Sequence, residues 1–133
     1  MSLPAKLFTK EQILLVQRRL IDRFGGSHGV LSDDMLESSM GAIMTAMGYQ
    51  ELTPCAVAAK YCHKFIKNHC FVDGNKRIGP ALGMAYLRLS GWCINPSNQD
   101  VIDMALAVAT GEMSEEELVT WFELNAALQD KAT

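Results

Sequence analysis

Long apolar runs are missing from this 133-residue sequence: no window reaches the roughly 18 apolar residues that a membrane-spanning helix needs. The opening residues, Met1-Ser2-Leu3-Pro4-Ala5-Lys6, contain no apolar signal-peptide core followed by a cleavage site, so a cytoplasmic location is expected. Runs of alternating β-branched residues are missing as well, which argues against a sheet. An excess of positive charge is also lacking. The formal net charge is −3, and a general nucleic-acid binder would be basic. The four cysteines, Cys55, Cys62, Cys70 and Cys93, form no CxxC pair. Reduced thiols in a reducing compartment fit them best. The four prolines and ten glycines stand in no low-complexity tract, which argues against bulk disorder. Neither an internal repeat nor a linker divides the chain, so residues 1–133 read as one domain.

What is present is helical periodicity over a chain that is 49% hydrophobic, enough for a sizeable core. Thr9, with Gln12 three residues on, makes a capping box for a first helix over about 10–24. Ile13, Val16, Leu20 and Phe24 form its apolar stripe, and Gly25-Gly26 ends it. Ser32 caps a second helix over about 33–47, stopped by Gly48. Thr53-Pro54 opens a third, over about 54–68. Cys55, Ala58, Ala59, Cys62, Ile66 and His69 share one face of it, with Lys60, His63, Lys64 and Lys67 on the other. The fourth helix runs from Asn75 to near Ser90 and has no charged residue between Ile78 and Leu87. A helix apolar all round is a buried one, so this should be the central helix. Gly79 and Gly83 would let a neighbour approach it closely. A short, extended connector at Trp92–Asn95 leads to a fifth helix over about 99–110. Ser114 and Glu117 box the start of a last one, over about 115–128. The expected fold is all-α, a compact bundle of about six helices around a buried one.

Charge is unevenly spread. Residues 60–77 hold Lys60, Lys64, Lys67, Lys76 and Arg77 against one acid, Asp73. Residues 112–130 hold Glu112, Glu115, Glu116, Glu117, Glu123 and Asp130 with no base. The basic stretch would draw an anion. It contains the loop His69-Cys70-Phe71-Val72-Asp73-Gly74-Asn75-Lys76-Arg77. Two cations in the first turn of a helix have the wrong sign for its dipole, and an anion bound there would reverse the penalty. First-turn N–H groups with Lys76 and Arg77 make a phosphate cradle. His69 can act as a general base near neutral pH. Asp73 can hold a Mg²⁺ that bridges phosphate oxygens, and Gly74 clears space for a ligand at the backbone. Taken singly, each has a plainer explanation: a helix-end histidine, a Gly-Asn turn, a solvated Lys-Arg pair. Together they point to phosphate chemistry.

His69-x-Phe71-x-Asp73-Gly74-Asn75-Lys76-Arg77 resembles the signature HxFx(D/E)GN(G/K)R of the Fic/Doc superfamily. Arg23-Phe24-Gly25-Gly26, Leu36-Glu37 and Thr110-Gly111-Glu112 are similar to other parts of that family, so the resemblance spans most of the chain. Asp73, the short length, and Lys76 in place of glycine resemble its Doc (death-on-curing) branch. The resemblance implies a Fic-type helical bundle in which His69 is the base and Asp73 binds Mg²⁺. Gly74 and Asn75 would supply anion-hole contacts, with Lys76 and Arg77 holding the phosphates of ATP. Doc-like toxins transfer the terminal phosphate of ATP to a threonine of elongation factor Tu and stop translation. They are neutralised by a Phd-type antitoxin. Typical Fic enzymes transfer AMP to protein hydroxyls instead. A non-catalytic protein-binding module that has kept the loop is the reading from another class.

The sequence departs from the family pattern at Cys70, where proline is common, and at Ile78-Gly79-Pro80, where Thr-Ala is usual after the arginine. Pro80 should either kink the fourth helix or move its regular start to about Gly79. The arginine common before the second helix is missing, and no internal inhibitory S/TxxxE(G/N) helix is evident. Control by a separate antitoxin is therefore expected. Cys55, Cys62 and His69, seven residues apart, stand about 10.5 Å apart along a helix and cannot share one metal ion. His63 reads as solvated, His28 as a loop residue, and Met35, Met40, Met44, Met47 and Met84 chiefly as core filler, with some of 40–47 open to a partner groove. Arg18, Arg19 and Arg23 read as a solvated face, with Arg19 and Arg23 spaced to meet a partner or substrate.

Overall fold

The computed structural model describes residues 6–128. The first five residues and Asp130 of the acidic stretch lie outside the described residues. Six helices carry the fold: α1 (Lys10–Phe24), α2 (Asp33–Tyr49), α3 (Pro54–Lys67), α4 (Asn75–Leu89), α5 (Asn98–Thr110) and α6 (Glu115–Asn125). Both capping boxes form, Thr9 with Gln12 and Ser114 with Glu117. Thr53 accepts from the Ala56 N–H ahead of Pro54, and Ser32 from the Met35 N–H. None of the described helices is long and apolar enough to cross a membrane.

The last helix stops three residues short of the expected Leu128. Ala126–Leu128 becomes β2 and pairs antiparallel with β1 (Trp92–Ile94), Trp92 opposite Leu128. This small ladder is the one sheet among the described residues. It follows from tertiary packing, since Ile94 is buried against the α6 side of the core. α2 also continues through Gly48 to Tyr49. Nothing lies within 4 Å of a Cβ placed at Gly48, so packing there neither requires glycine nor breaks the helix.

The buried centre is a pair of helices rather than one. α3 buries eight residues on two faces, and α4 buries Ile78, Gly79, Pro80, Leu82, Gly83, Tyr86 and Leu87. Two apolar clusters lie on either side of this pair. Cys55, Ala58, Cys62, Leu87, Met104, Val108, Leu118 and Phe122 join it to α5, α6 and β1. Ile13, Leu36, Ile43, Val57, Tyr61, Phe65, Phe71, Ile78 and Tyr86 join it to α1 and α2. The two central helices touch at their backbones. A Cβ at Gly79 would lie 2.6 Å from the Cys62 carbonyl oxygen, and one at Gly83 2.9 Å from that of Ala58.

α4 passes through Pro80 without a break, beginning at Asn75, so its regular part does not start at Gly79. Pro80 has no N–H to give the Lys76 carbonyl four residues back. Burial of Ile78, Gly79, Pro80 and Leu82 around it offsets that missing bond. In α1 the buried face is Ile13, Gln17 and Ile21. Val16 and Leu20 flank it, and Phe24, expected at the end of the core stripe, is 52% exposed. Met44, expected in the core, is exposed too, whereas Met40, Met47 and Met84 pack against it.

Candidate active site

The expected functional residues lie on the connection from α3 to α4 and in the first turn of α4, and the shape of this junction follows from how α3 ends and α4 begins. α3 closes at Lys67, and Asn68 donates its N–H to the Lys64 carbonyl. His69 then takes a left-handed conformation, φ 46°. Histidine is one of the few non-glycine residues found there at appreciable frequency. This turn carries His69 off the face it would share by helical spacing. Cys55, Ala58, Ala59, Cys62 and Ile66 are buried, while His69 is exposed to a cleft.

Four anchors hold the loop that follows. Phe71 is 1% exposed and stacks on Phe65 with ring centroids 6.5 Å apart. Asn75 clamps the backbone of the same residue: the Phe71 N–H donates to Asn75 Oδ1 at 3.1 Å, and Asn75 Nδ2 donates to the Phe71 carbonyl at 2.9 Å. The α1–α2 loop lies alongside. Val30 and Phe71 form an antiparallel bridge, and the Val72 N–H donates to the Gly29 carbonyl at 3.1 Å. Leu31 and Ser32 donate to the Cys70 carbonyl at 2.9 and 3.2 Å. Beneath, Asn68 Nδ2 donates to Ser39 Oγ at 2.8 Å, and the Ser39 hydroxyl donates to the Met35 carbonyl at 2.7 Å. Cys70 Sγ lies 3.6 Å from that hydroxyl, and burial pushes its thiol pKa up. The cysteine in the place of the usual proline thus ties the loop to α2.

Asp73 is positioned from α1 and its following loop. The Ser27 N–H donates to Asp73 Oδ2 at 2.8 Å, and the buried Gln17 amide lies 3.4 Å from the Asp73 carbonyl. Gly26, φ 111°, permits this approach, since a Cβ there would be 3.2 Å from that of Asp73. Sequence reasoning missed Gln17 and Ser27. A glutamine at the core-facing spacing of Ile13 and Ile21 was the signal available for the first. Ser27 acts through its backbone and leaves no sequence signal.

α4 differs from the other helices at its start. Thr9, Ser32, Thr53, Ser97 and Ser114 each give a side-chain cap to theirs, whereas Gly74 precedes α4 with φ 83° and no side-chain cap. The Gly74 carbonyl accepts from Arg77 and Ile78 at 3.0 and 2.8 Å. The earlier N–H groups of the turn are left for an outside acceptor, and the helix dipole favours an anion there. The Asn75 side chain is committed to Phe71, so what Asn75 can offer an anion is its backbone N–H.

A cleft of about 620 Å³ opens over this turn. His69, Asp73, Gly74, Asn75, Lys76 and Arg77 all line it, so the six residues expected from sequence meet in one place. Its further wall, Leu106, Ala109 and Thr110 on α5, was not anticipated as part of the site. Lys67 donates to the Ala109 carbonyl at 3.4 Å and ties that wall to α3. Among the described residues no three His, Cys, Asp or Glu side chains group to hold a metal ion. A single carboxylate beside the uncapped, cationic start of α4 nevertheless suits Mg²⁺, which commonly takes one or two carboxylates and completes its shell from phosphates and water.

The rest of the basic face of α3 is turned elsewhere. Lys60 pairs with Glu115 at 2.9 Å. His63, expected to be solvated, is half-buried 3.9 Å from the same carboxylate, and burial, with nearby lysines assisting, lowers its pKa despite Glu115. His28 pairs with Asp22 at 2.9 Å on the surface.

The Fic/DOC family model matches residues 7–87, which run from before α1 into α4 and include the whole His69–Arg77 loop. No curated protein matches the chain.

Proposed function

From the premise that this chain belongs to the Fic/DOC family, a family of nucleotide transferases, we propose that it is a Doc-like toxin kinase that phosphorylates a hydroxyl of a protein acceptor from Mg-ATP. The observation that carries the reading is the uncapped, doubly cationic start of α4 sharing one cleft with His69 and Asp73. Elongation factor Tu is the proposed acceptor and a Phd-type antitoxin the proposed regulator. Both come from the Doc-like form of the motif, Asp73 with Lys76.

Each group has a role that its placement allows. First-turn N–H groups with Lys76 and Arg77 hold the phosphates and oppose their charge. Asp73, fixed through Oδ2 by the Ser27 N–H, would hold Mg²⁺. The ion would supply charge neutralisation at the phosphate oxygens. His69 takes the proton from a serine or threonine hydroxyl as its oxygen bonds to the γ-phosphorus. The bond from that phosphorus to the β–γ bridging oxygen breaks, and ADP leaves with the electron pair. Lys76 favours this over AMP transfer: a long cation where glycine is typical fills space and adds charge beside the helix start, which shifts how the nucleotide sits.

The test incubates the protein with acceptor and ATP labelled at the α or the γ phosphate. Label on the acceptor from γ alone is the expected result. Retention from α and none from γ would mean AMP transfer and overturn the kinase reading. No transfer, no nucleotide binding and unchanged toxicity of His69→Ala would mean a binding module.

A further inference from the structure

Phe24 has no place in the core, yet it is the last residue of α1 and half-exposed beside the cleft. Its ring is occupied from outside. The Arg77 guanidinium carbon lies 5.1 Å from the ring centroid and that of Arg23 5.3 Å. Neither arginine has a carboxylate partner among the described residues. Arg77 reaches this ring from the third position of a helix whose start lines the cleft. A guanidinium held over an aromatic ring by cation–π attraction still has N–H donors to offer on its other sides, so the same side chain can also take a phosphate. A long arginine left without such a support would lose more rotamer freedom on binding.

We infer that Phe24 is a positioning residue for the phosphate cradle: its ring holds the Arg77 guanidinium in place for a nucleotide phosphate. The inference rests on the proposed Mg-ATP chemistry for its consequence, but the cation–π contact itself can be read without nucleotide. Phe24→Leu keeps apolar bulk and removes the π face, and Phe24→Trp restores it.

Two measurements on the full chain test this. In NMR spectra of the nucleotide-free protein, the Arg77 Nε–H signal, identified by its loss in Arg77→Ala, should move downfield in Phe24→Leu and stay ring-shifted in Phe24→Trp. In titrations with Mg-ATP, Phe24→Leu should bind about two- to fivefold more weakly, the size of an exposed cation–π contact. Phe24→Trp should bind at least as well as the parent. In an Arg77→Ala background, Phe24→Leu should cost nothing further, which a merely structural role of the ring would not produce. An unmoved Arg77 signal, equal binding by Phe24→Leu, or a penalty that persists without Arg77 overturns the inference. Failure of the parent to bind Mg-ATP while the Arg77 signal still responds to Phe24→Leu would instead sink the nucleotide reading and its cradle role, leaving only the cation–π contact.

Discussion

Replacing Gly79 by alanine sets helix propensity against packing, and the structure decides the sign. Alanine in a helix interior gains roughly 1 kcal/mol over glycine. At Gly79 the new Cβ would lie 2.6 Å from the Cys62 carbonyl oxygen and 2.7 Å from Ile66 Cγ1. That carbonyl is part of the α3 backbone, so it cannot yield as a side-chain tip would. Overpacking of this kind costs about 1–3 kcal/mol, and a backbone clash belongs at the upper end, leaving a net loss near 2 kcal/mol. Gly41 in α2 is the internal control, because nothing lies within 4 Å of a Cβ placed there. Gly41→Ala should therefore stabilise by about 0.5–1 kcal/mol. The two variants should differ by nearly 3 kcal/mol in urea denaturation, roughly 10 °C in Tm for a domain of this size. Because α3 leads through Asn68 into His69 and α4 begins at the proposed cradle, separating the helices should also weaken Mg-ATP binding in Gly79→Ala and not in Gly41→Ala. Equal or higher stability of Gly79→Ala would refute the close-packed helix pair on which the site is built.

Other expectations follow from single side chains. Asn75→Ala removes both bonds to the Phe71 backbone and should destabilise by about 1–3 kcal/mol, measured by denaturant melting; loss of nucleotide binding should accompany it as the loop loosens. His63 has its pKa lowered, chiefly by burial, so below about 6.5 the unfolded chain binds the extra proton first and stability falls as pH drops. His63→Gln should flatten that decline between pH 7 and 5, and an unchanged slope would contradict the assignment. Cys55, Cys62 and Cys70 are buried and Cys93 is exposed. Burial first, then Glu123, raises Cys55 to about 11, and burial raises Cys62 as well. One thiol should react with a disulfide reagent in the native protein and four after unfolding, a stoichiometry read by absorbance.

Much of the fold could be read from local chemistry. Thr9-x-x-Gln12, Thr53-Pro54 and Ser114-x-x-Glu117 name helix starts because the capping partners are close in sequence. The charge-free Ile78–Leu87 stretch announced a buried helix, and Gly79 and Gly83 announced a close neighbour. What escaped depends on residues far apart. That α3 is as central as α4, that Ala126–Leu128 leaves the helix to pair with Trp92–Ile94, and that Phe24 turns outward all depend on which surfaces meet. In α1, hydropathy chose Val16, Leu20 and Phe24, but the buried line runs through the polar Gln17, whose amide lies by the Asp73 carbonyl.

For the site, sequence by itself determined the chemical set: an imidazole, a carboxylate, a glycine and two cations within nine residues, short enough that one helix junction must carry them all. Tertiary structure alone decided how they are aimed. The left-handed turn at His69 takes its imidazole off the buried face of α3. Ser27 and Gln17, from α1 and the loop after it, hold Asp73. α5 closes the opposite wall, and the ring of Phe24 lies against Arg77. The physical reason is range: capping and spacing act over a turn of chain, whereas the direction of a side chain is settled by whatever the fold packs beside it.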